Sequence, residues 1–431
     1  MTRKVKKYKL VNSVDFKNQI ITHLKRYDKF CFLDGNNSPD KYSSFDYLAA
    51  FDSKIEYKQI NNPFEGLKQF SKKHNDWMFG YFSYDLKNDI EDLESKNIDN
   101  IHFPKIHFFI PKYIFVIKKN ELKIIYDNQI EESGIDDLFE LISNIEIAQS
   151  LNFNNEIKKS ISKDEYFSAI KSIKKNIQLG DIYEMNFCQE FYIENPDVNP
   201  FSLFFKLNEY SKSPFSAFYR YNDSFCICSS PERFIKKIGK KIISQPIKGT
   251  SSRFEDLEED ELSKKALLNS DKDFSENVMI VDLVRNDLSI TAATGSVYVE
   301  ELAKLYSYKN VHHLISTVVS KINNNIHPID VIKHAFPMGS MTGAPKIRSM
   351  QLIENYEKCF RGIYSGSIGY FTPDLDFDFN VVIRSLLYNE KSNYLSFMVG
   401  GAITIESDEK SEYQECLIKA KSIIDILSNE K

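Results

Sequence analysis

The sequence has little cysteine, no surplus of basic residues and no long apolar run, and each shortage excludes a class of protein. Six cysteines in 431 residues are too few for a disulfide-stabilised secreted scaffold. With a formal net charge of −5, the chain has no basic excess to neutralise a phosphate backbone, so nucleic acid is not an expected partner. The most apolar stretch, residues 106–117, contains His107, Pro111 and Lys112 and is too short to cross a bilayer as a helix.

Several common motifs are missing as well. No G-x-S-x-G sequence is present, which argues against a serine hydrolase of the nucleophile-elbow type. No G-x-G-x-x-G opens a βαβ unit, so a nicotinamide enzyme is not indicated. The basic start from Met1 to Lys7 is not followed by an apolar segment of signal-peptide length. We therefore expect a soluble, cytoplasmic protein without membrane association.

The composition supports a large folded core. Hydrophobic residues make up 42% of the chain and aromatic residues 13%, so we do not expect the chain to be globally disordered. Residues 1–150 alternate short strand-like runs with polar turns. A polar, charge-rich stretch at 152–163 is predicted to separate an N-terminal region (1–155) from a second region (156–431), although the two could be intertwined in one body.

The order of helices and strands predicts the fold class. Ser162 followed by Glu165 is typical of a capped helix start, so we predict a helix to about Leu179, with strands and turns following over 183–250. Further helices are predicted at 256–288, 328–335, 345–357 and 409–428. Further strands are predicted at 364–371, 379–388 and 394–404. Runs of adjacent strands between helices, without strict βαβ alternation, favour an α+β fold with antiparallel sheets.

Two acidic pairs lie at i, i+3 spacing on predicted helices: Asp273 with Glu276, and Glu412 with Glu415. Residues three apart share one face of a helix, so each helix could present two carboxylates to a hard cation such as Mg²⁺. The alternative is that both pairs lie on solvated faces, because the chain has 61 acidic residues.

A glycine-containing loop at 339–346 precedes a predicted helix with Pro345 at its first position. Backbone N–H groups at a helix N-terminus attract anions, whereas the alternative is an ordinary helix-entry turn. The spacing of Gly343 and Lys346 does not match a Walker A motif.

Lys248 lies between Pro246 and Gly249, after a predicted strand. A lysine is most often a solvated surface charge, but in a dry pocket beside an acid it can lose its proton and act as a nucleophile. Glu232, sixteen residues earlier, could be that acid from a neighbouring strand; the alternative is a surface carboxylate or an ion-pair partner.

In this order, these segments resemble the chorismate-binding enzymes, the family of anthranilate, aminodeoxychorismate, isochorismate and salicylate synthases. The resemblance is carried by residues 180–183, 230–234, 246–250, 279–288, 313–317, 339–348, 361–366, 383–384, 400–403 and 412–420. Residues 32–35 and 80–85 are similar to the amine-forming members. The family fold implies one large α+β body with two facing antiparallel sheets and helices packed outside.

The resemblance also implies the site. Glu276 and Glu415 would hold Mg²⁺, with Asp273 and Glu412 beside them. Substrate anions would be held by Arg384, Tyr364, Lys419, Gly400, Gly401 and Thr342. His313 would lie near the reacting ring, and Lys248 and Glu232 would be catalytic.

One position separates the products. Members that make anthranilate or isochorismate carry alanine where this chain has Lys248, so the resemblance implies amination of chorismate to 4-amino-4-deoxychorismate through a covalent lysine intermediate. Members that add water carry a lysine at the position of Glu184, where glutamine is commoner among amine-forming members. No glutaminase-like cysteine motif is present, so we expect ammonia from a separate glutamine amidotransferase subunit and a separate lyase that releases 4-aminobenzoate for folate synthesis.

Two alternatives stay open at this point. The chain could be an anthranilate synthase component I, or a non-catalytic regulator that binds chorismate or tryptophan. Some relatives bind tryptophan at positions equivalent to Gly35, 42–45 and 214–216, but glycine at position 35 lacks a hydroxyl that those relatives use.

Overall fold

The computed structural model describes residues 3–59, 61–147 and 153–428. Within them, the α-helices are α1 (Ser13–His23), α2 (Pro63–His74), α3 (Lys87–Ile90), α4 (Glu132–Ser143), α5 (Lys163–Gln178), α6 (Pro200–Ser211), α7 (Leu257–Leu268), α8 (Asp271–Ser289), α9 (Pro328–Ala335), α10 (Lys346–Tyr356) and α11 (Glu409–Ser428). None of these helices combines the length and apolar character needed to cross a membrane.

The strands of the same residues all pair antiparallel. They are β1 (Arg3–Lys9), β2 (Lys29–Asp34), β3 (Tyr47–Tyr57), β4 (Met78–Phe82), β5 (Ile106–Lys118), β6 (Glu121–Asp127), β7 (Lys158–Lys159), β8 (Glu184–Glu194), β9 (Phe215–Tyr221), β10 (Ser224–Ser230), β11 (Arg233–Ile238), β12 (Lys241–Gln245), β13 (Ile247–Ser252), β14 (Tyr298–Ser307), β15 (Val311–Lys321), β16 (Gly343–Ala344), β17 (Ser367–Phe371), β18 (Phe377–Asn380), β19 (Ser385–Asn389) and β20 (Tyr394–Ile403).

The long strand β5 connects two sheets. One sheet runs β8-β20-β19-β10-β9-β2-β3-β5-β6-β1, with β7 and β16 on the outer edge of β8. The other runs β5-β4-β17-β18-β11-β12-β15-β14, and β13 follows β12 along the same edge of β15. Pro111 in β5 lies opposite Ser53, next to a shift in the β3–β5 register. A proline, which cannot donate a ladder hydrogen bond, is tolerated at such an irregularity.

The two sheets face each other, and helices cover the outside. Cys31 and Leu33 of β2 pack in a core with Phe79 of β4 and Phe371 of β17, whereas Phe30 and other alternate residues pack in a second core with α1, α5, α6 and α11. Alternate residues of a strand point to opposite faces, so burial of both faces explains why the four central residues of β2 are all apolar. The predicted α+β fold is confirmed.

Local patterns predicted many elements correctly. The capping box of Ser162 and Glu165 is present at the start of α5, and α9 and α11 have the predicted bounds. The six cysteines, too few for a disulfide scaffold, are all buried and free. Pro345 is the residue before α10 rather than its first residue. The predicted helix over 256–288 is two helices, α7 and α8.

The strand predicted over 379–388 is two strands, β18 and β19, because Arg384 has a φ of 51°, outside the extended region. Tyr364 precedes β17 rather than belonging to it. Asn152, the first residue of the predicted boundary stretch, lies outside the described residues, and a division near 155 stays a prediction. Strands from either side of it do pair, β2 with β9 and β4 with β17.

A buried ion-pair network ties distant parts of the chain together. The side chain of Arg233 is 1% exposed and lies 2.6 Å from Asp40 and 2.9 Å from Asp378. Arg233 also pairs with Gln245 in the β11–β12 ladder. This register places residue 232 beside residues 246–248.

We expect Arg233→Met to destabilise the protein by about 3–5 kcal/mol, because its removal takes the guanidinium away from the carboxylate of Asp40 and leaves that of Asp378 with Lys236 alone. Urea unfolding would measure the change in the free energy of unfolding. Lys304→Met is a matched control, since Lys304 is 56% exposed in its pair with Glu301 and such pairs contribute little. Equal stability of both variants would contradict the structural role of Arg233.

Candidate active site

Lys248 is not a solvated surface residue. Its side chain is 11% exposed, and its Nζ lies 3.6 Å from Oε2 of Glu184, whose side chain is 2% exposed. The amine therefore lies in a largely dry pocket at the ends of β13 and β8, beside a carboxylate that the sequence reasoning had noted only as a departure from the family pattern.

Glu232 lies next to this lysine with its carboxyl group buried. Its Oε1 accepts a hydrogen bond of 2.7 Å from Oγ of Ser340. Burial raises the pKa of Glu232 to about 7, although the hydroxyl of Ser340, the charge of Lys248 and the amide of Ile247 each lower it. A carboxyl group of this kind holds a proton near neutral pH and can act as a general acid.

The two acidic pairs face one another from α8 and α11. Nζ of Lys272 lies 3.9 Å from Glu276 and 3.8 Å from Glu412, so it bridges the two helices. Glu415 lies 2.7 Å from Nζ of Lys419. Because Lys272 and Glu276 are four residues apart on one helix, their spacing could have revealed this contact.

Burial decides the direction of the pKa shift for two of these carboxylates, Glu276 and Glu412. It raises the pKa of Glu276 against the opposing charges of Lys248 and Lys272, and it raises the pKa of Glu412. Burial acts the same way on Glu415, but Lys419 and Lys272 outweigh it, and the pKa of Glu415 lies below its ordinary value.

The carboxylates fit a weakly chelated cation rather than a closed cage. Within the described ranges, no group of three or more His, Cys, Asp or Glu side chains is close enough to enclose a metal ion. Mg²⁺ needs fewer protein ligands, since it keeps several waters and binds through one or two carboxylates plus substrate oxygens. Glu276 is 14% exposed and accepts no hydrogen bond from the described residues, so it is a suitable ligand. Asp273 lies one turn earlier on α8, against Gly249.

Arg384, whose charge acts on His313, has no ion-pair partner among the described residues. Burial lowers the pKa of its guanidinium. A partly buried charge without an ion-pair partner is costly, so this guanidinium favours an anionic ligand.

Other predicted anion-binding residues lie around the same pocket. Tyr364 is 3% exposed, with its hydroxyl 3.5 Å from Sγ of Cys188. Thr342 is fully buried, and its hydroxyl donates to the carbonyls of Met338 and Gly339. Because a hydroxyl has a single proton, it does not also donate to an anion in this arrangement.

Gly401 leaves space between the acidic helix and β20. A Cβ atom at this position would lie 3.5 Å from Oε2 of Glu412, 3.7 Å from Nζ of Lys419 and 3.8 Å from Oε1 of Glu415. Lys419 also donates to the carbonyl of Gly400. The backbone of Gly400 and Gly401 therefore lies against the α11 side chains of Glu412, Glu415 and Lys419.

His313 is neutral and offers one free ring nitrogen. Burial lowers the pKa of His313 to about 3, with a further contribution from Arg384. Its Nδ1 lies 2.8 Å from Oγ1 of Thr250, whereas Nε2 is buried without a hydrogen-bond partner in the described structure. That nitrogen is available to a ligand.

A separate cavity contains part of the predicted tryptophan site. Gly35, Phe45, Pro214, Phe215 and Ser216 line it together. Tyr42 lines a neighbouring cavity that shares Pro214 and Phe215.

The profile of the chorismate binding enzymes matches residues 28–425, and the chain belongs to this family. A curated relative from Klebsiella aerogenes, aminodeoxychorismate synthase component 1, is 34% identical over 349 residues, which is 80% of this chain and 76% of the relative. The protein of that name from Bacillus subtilis (strain 168) is 31% identical over 93% of this chain and 84% of its own length.

Longer proteins and a solved structure are also similar. The probable aminodeoxychorismate synthase, chloroplastic, of Oryza sativa subsp. japonica is 42% identical over 61% of this chain, but the match covers 29% of the rice protein. The crystal structure of anthranilate synthase component I from Streptococcus pneumoniae TIGR4 has a TM-score of 0.78 and 25% identity, and the match covers 89% of this chain and 93% of that one.

We expect Arg384→Met to weaken chorismate binding about a hundredfold or more while leaving the melting temperature unchanged or raised, because it removes a partly buried charge that has no ion-pair partner among the described residues. Isothermal titration calorimetry and thermal unfolding would measure the two effects. A large loss of stability would instead indicate that Arg384 is needed for folding.

Proposed function

We propose that this chain aminates chorismate to 4-amino-4-deoxychorismate, a step of 4-aminobenzoate and folate synthesis. The observation that carries this proposal is the buried Lys248 beside the high-pKa carboxyl of Glu232, a nucleophile next to an acid. The names of the Klebsiella and Bacillus relatives support the same reaction.

In the first step, the neutral amine of Lys248 forms a bond to ring C2 of chorismate. The ring electrons shift and the C4–O bond breaks, and Glu232 donates a proton to the departing hydroxyl, which leaves as water. Division of a difficult substitution into two steps is the advantage of a covalent intermediate.

In the second step, ammonia forms a bond to C4 and the bond between C2 and Nζ breaks. The electron pair of that bond returns to Lys248, and the product carries an ammonium group at C4. Glu232 then regains a proton from the product or from water, so one chorismate and one ammonia yield the amine and one water.

The charges of the pocket support binding of a dicarboxylate. Arg384 would hold one carboxylate of chorismate, and Lys419, with the backbone of 400–401, would lie near the other. Glu276 and Glu415 would hold Mg²⁺, with Asp273 and Glu412 beside them, and the bound ion would supply positive charge to a substrate carboxylate.

The ammonia is proposed to come from a separate glutamine amidotransferase subunit, and the reaction to take place in the cytoplasm. The name "component 1" of the Klebsiella and Bacillus relatives supports a second component. Tryptophan as a ligand of the cavity at Gly35 stays a prediction.

Incubation of the chain with chorismate, Mg²⁺ and ammonium should produce 4-amino-4-deoxychorismate, identified by mass spectrometry. Lys248→Ala should lower the rate at least a hundredfold and abolish a protein adduct with the mass of chorismate less water, whereas Lys304→Met should behave like the wild type. Anthranilate and pyruvate as products would instead favour the activity named for the relative from Aquifex aeolicus (strain VF5), anthranilate synthase component 1.

We expect the rate of adduct formation to fall about tenfold per pH unit above pH 7, because Glu232 must carry its proton to act as an acid and its pKa is about 7. The raised pKa also predicts that the wild type loses stability, relative to Glu232→Gln, as pH rises from the unfolded-state value near 4.5 through 7. Stopped-flow kinetics and urea unfolding at pH 5 and 8 would test both. A rate that is flat from pH 6 to 9 would rule out this acid.

A further inference from the structure

We propose that Glu184 is a positioning residue that holds Nζ of Lys248 in place and takes its proton, so that the amine becomes neutral for attack. This inference rests on the proposed function. It concerns the ion pair at 3.6 Å between Glu184 of β8 and Lys248 of β13. Glu184 has no role in the two steps described above.

The backbone of Glu184 is held rigidly. It lies opposite Ala344 in the short β8–β16 ladder, and its carbonyl accepts a hydrogen bond of 3.2 Å from Oγ of Ser349. Gly343 packs so closely that a Cβ atom there would lie 2.3 Å from the same carbonyl. A carboxylate on such a fixed backbone can hold an amine in one position.

One oxygen of the Glu184 carboxylate has no hydrogen-bond donor among the described residues. This oxygen, Oε2, is buried and lies within ion-pair distance of Lys248. A buried carboxylate oxygen without a donor is costly, and a transferred proton would satisfy it.

The other carboxyl groups near Lys248 are already engaged. Glu232 must keep its own proton for the leaving hydroxyl. Glu276, on α8, also faces Lys272, and Glu415, on α11, is paired with Lys419. Within the described residues, Glu184 is therefore the available base for Lys248, and the charged groups that face it are Lys248 and Glu276.

Substrate binding supplies the driving force for the transfer. When chorismate covers the 11% of the Lys248 side chain that is still exposed, two separated charges at 3.6 Å become more costly than a neutral amine beside a neutral acid. The proton moves from Nζ to Oε2, and the lone pair of Nζ then forms the bond to C2. When ammonia displaces the lysine, Nζ leaves with its electron pair and recovers the proton from Glu184.

The test compares Glu184→Gln with the wild type over pH 7 to 9. Glutamine keeps the shape and an acceptor oxygen but cannot take a proton, so attack would require a lysine neutralised by solvent. We expect adduct formation to be about a hundredfold to a thousandfold slower at pH 7, the order of magnitude that general-base catalysis typically contributes. The ratio of wild-type to variant rates should fall as pH rises, because hydroxide can then take the proton that glutamine cannot, and this ratio cancels the contribution of Glu232.

Glu190→Gln is the matched control. Glu190 is a buried glutamate on the same face of β8 that bonds to Tyr394, and its variant should show a constant ratio to the wild type. A constant ratio for Glu184→Gln, or an unchanged rate, would overturn the inference. Absence of aminodeoxychorismate from the wild type would instead contradict the proposed function, so the two failures are distinguishable.

Discussion

Burial of the Arg233 guanidinium is the constraint on which the placement of the site depends. A buried charge must be paired, and its partners, Asp40 and Asp378, come from opposite ends of the chain. When they meet, β11 lies between β12 and β18. The residue before Arg233 is then directed toward the segment that carries Lys248, and an acid and an amine distant in sequence become neighbours.

The pocket around that pair has two electrostatic sides. Carboxylates from α8, α11 and β8 surround Lys248, Lys272 and Lys419, whereas Arg384 on the other side has no acidic partner among the described residues. Such an arrangement is incomplete without ligands: the carboxylates favour a cation, and the guanidinium favours an anion. A dicarboxylate bound with a divalent ion would complete both sides at once.

Local sequence predicted those features that local physics controls. The capping box before α5, the bounds of α9 and α11, and the i, i+3 acidic pairs on α8 and α11 follow from contacts within a few residues. The same reasoning was wrong at Arg384, where it extended one strand across 379–388. Arg384 has a positive φ, a conformation that residues other than glycine rarely adopt, so the local pattern did not predict the break.

The sequence by itself determined the family, the α+β class and which residue types could carry the chemistry, because ordered motifs and side-chain periodicity are properties of the chain. Tertiary structure decided the environment of Lys248. Read alone, that lysine resembles a surface charge; in the fold it is 11% exposed and faces Glu184. Burial and proximity depend on which strands pair across more than sixty residues, and no local pattern specifies the distance between β8 and β13.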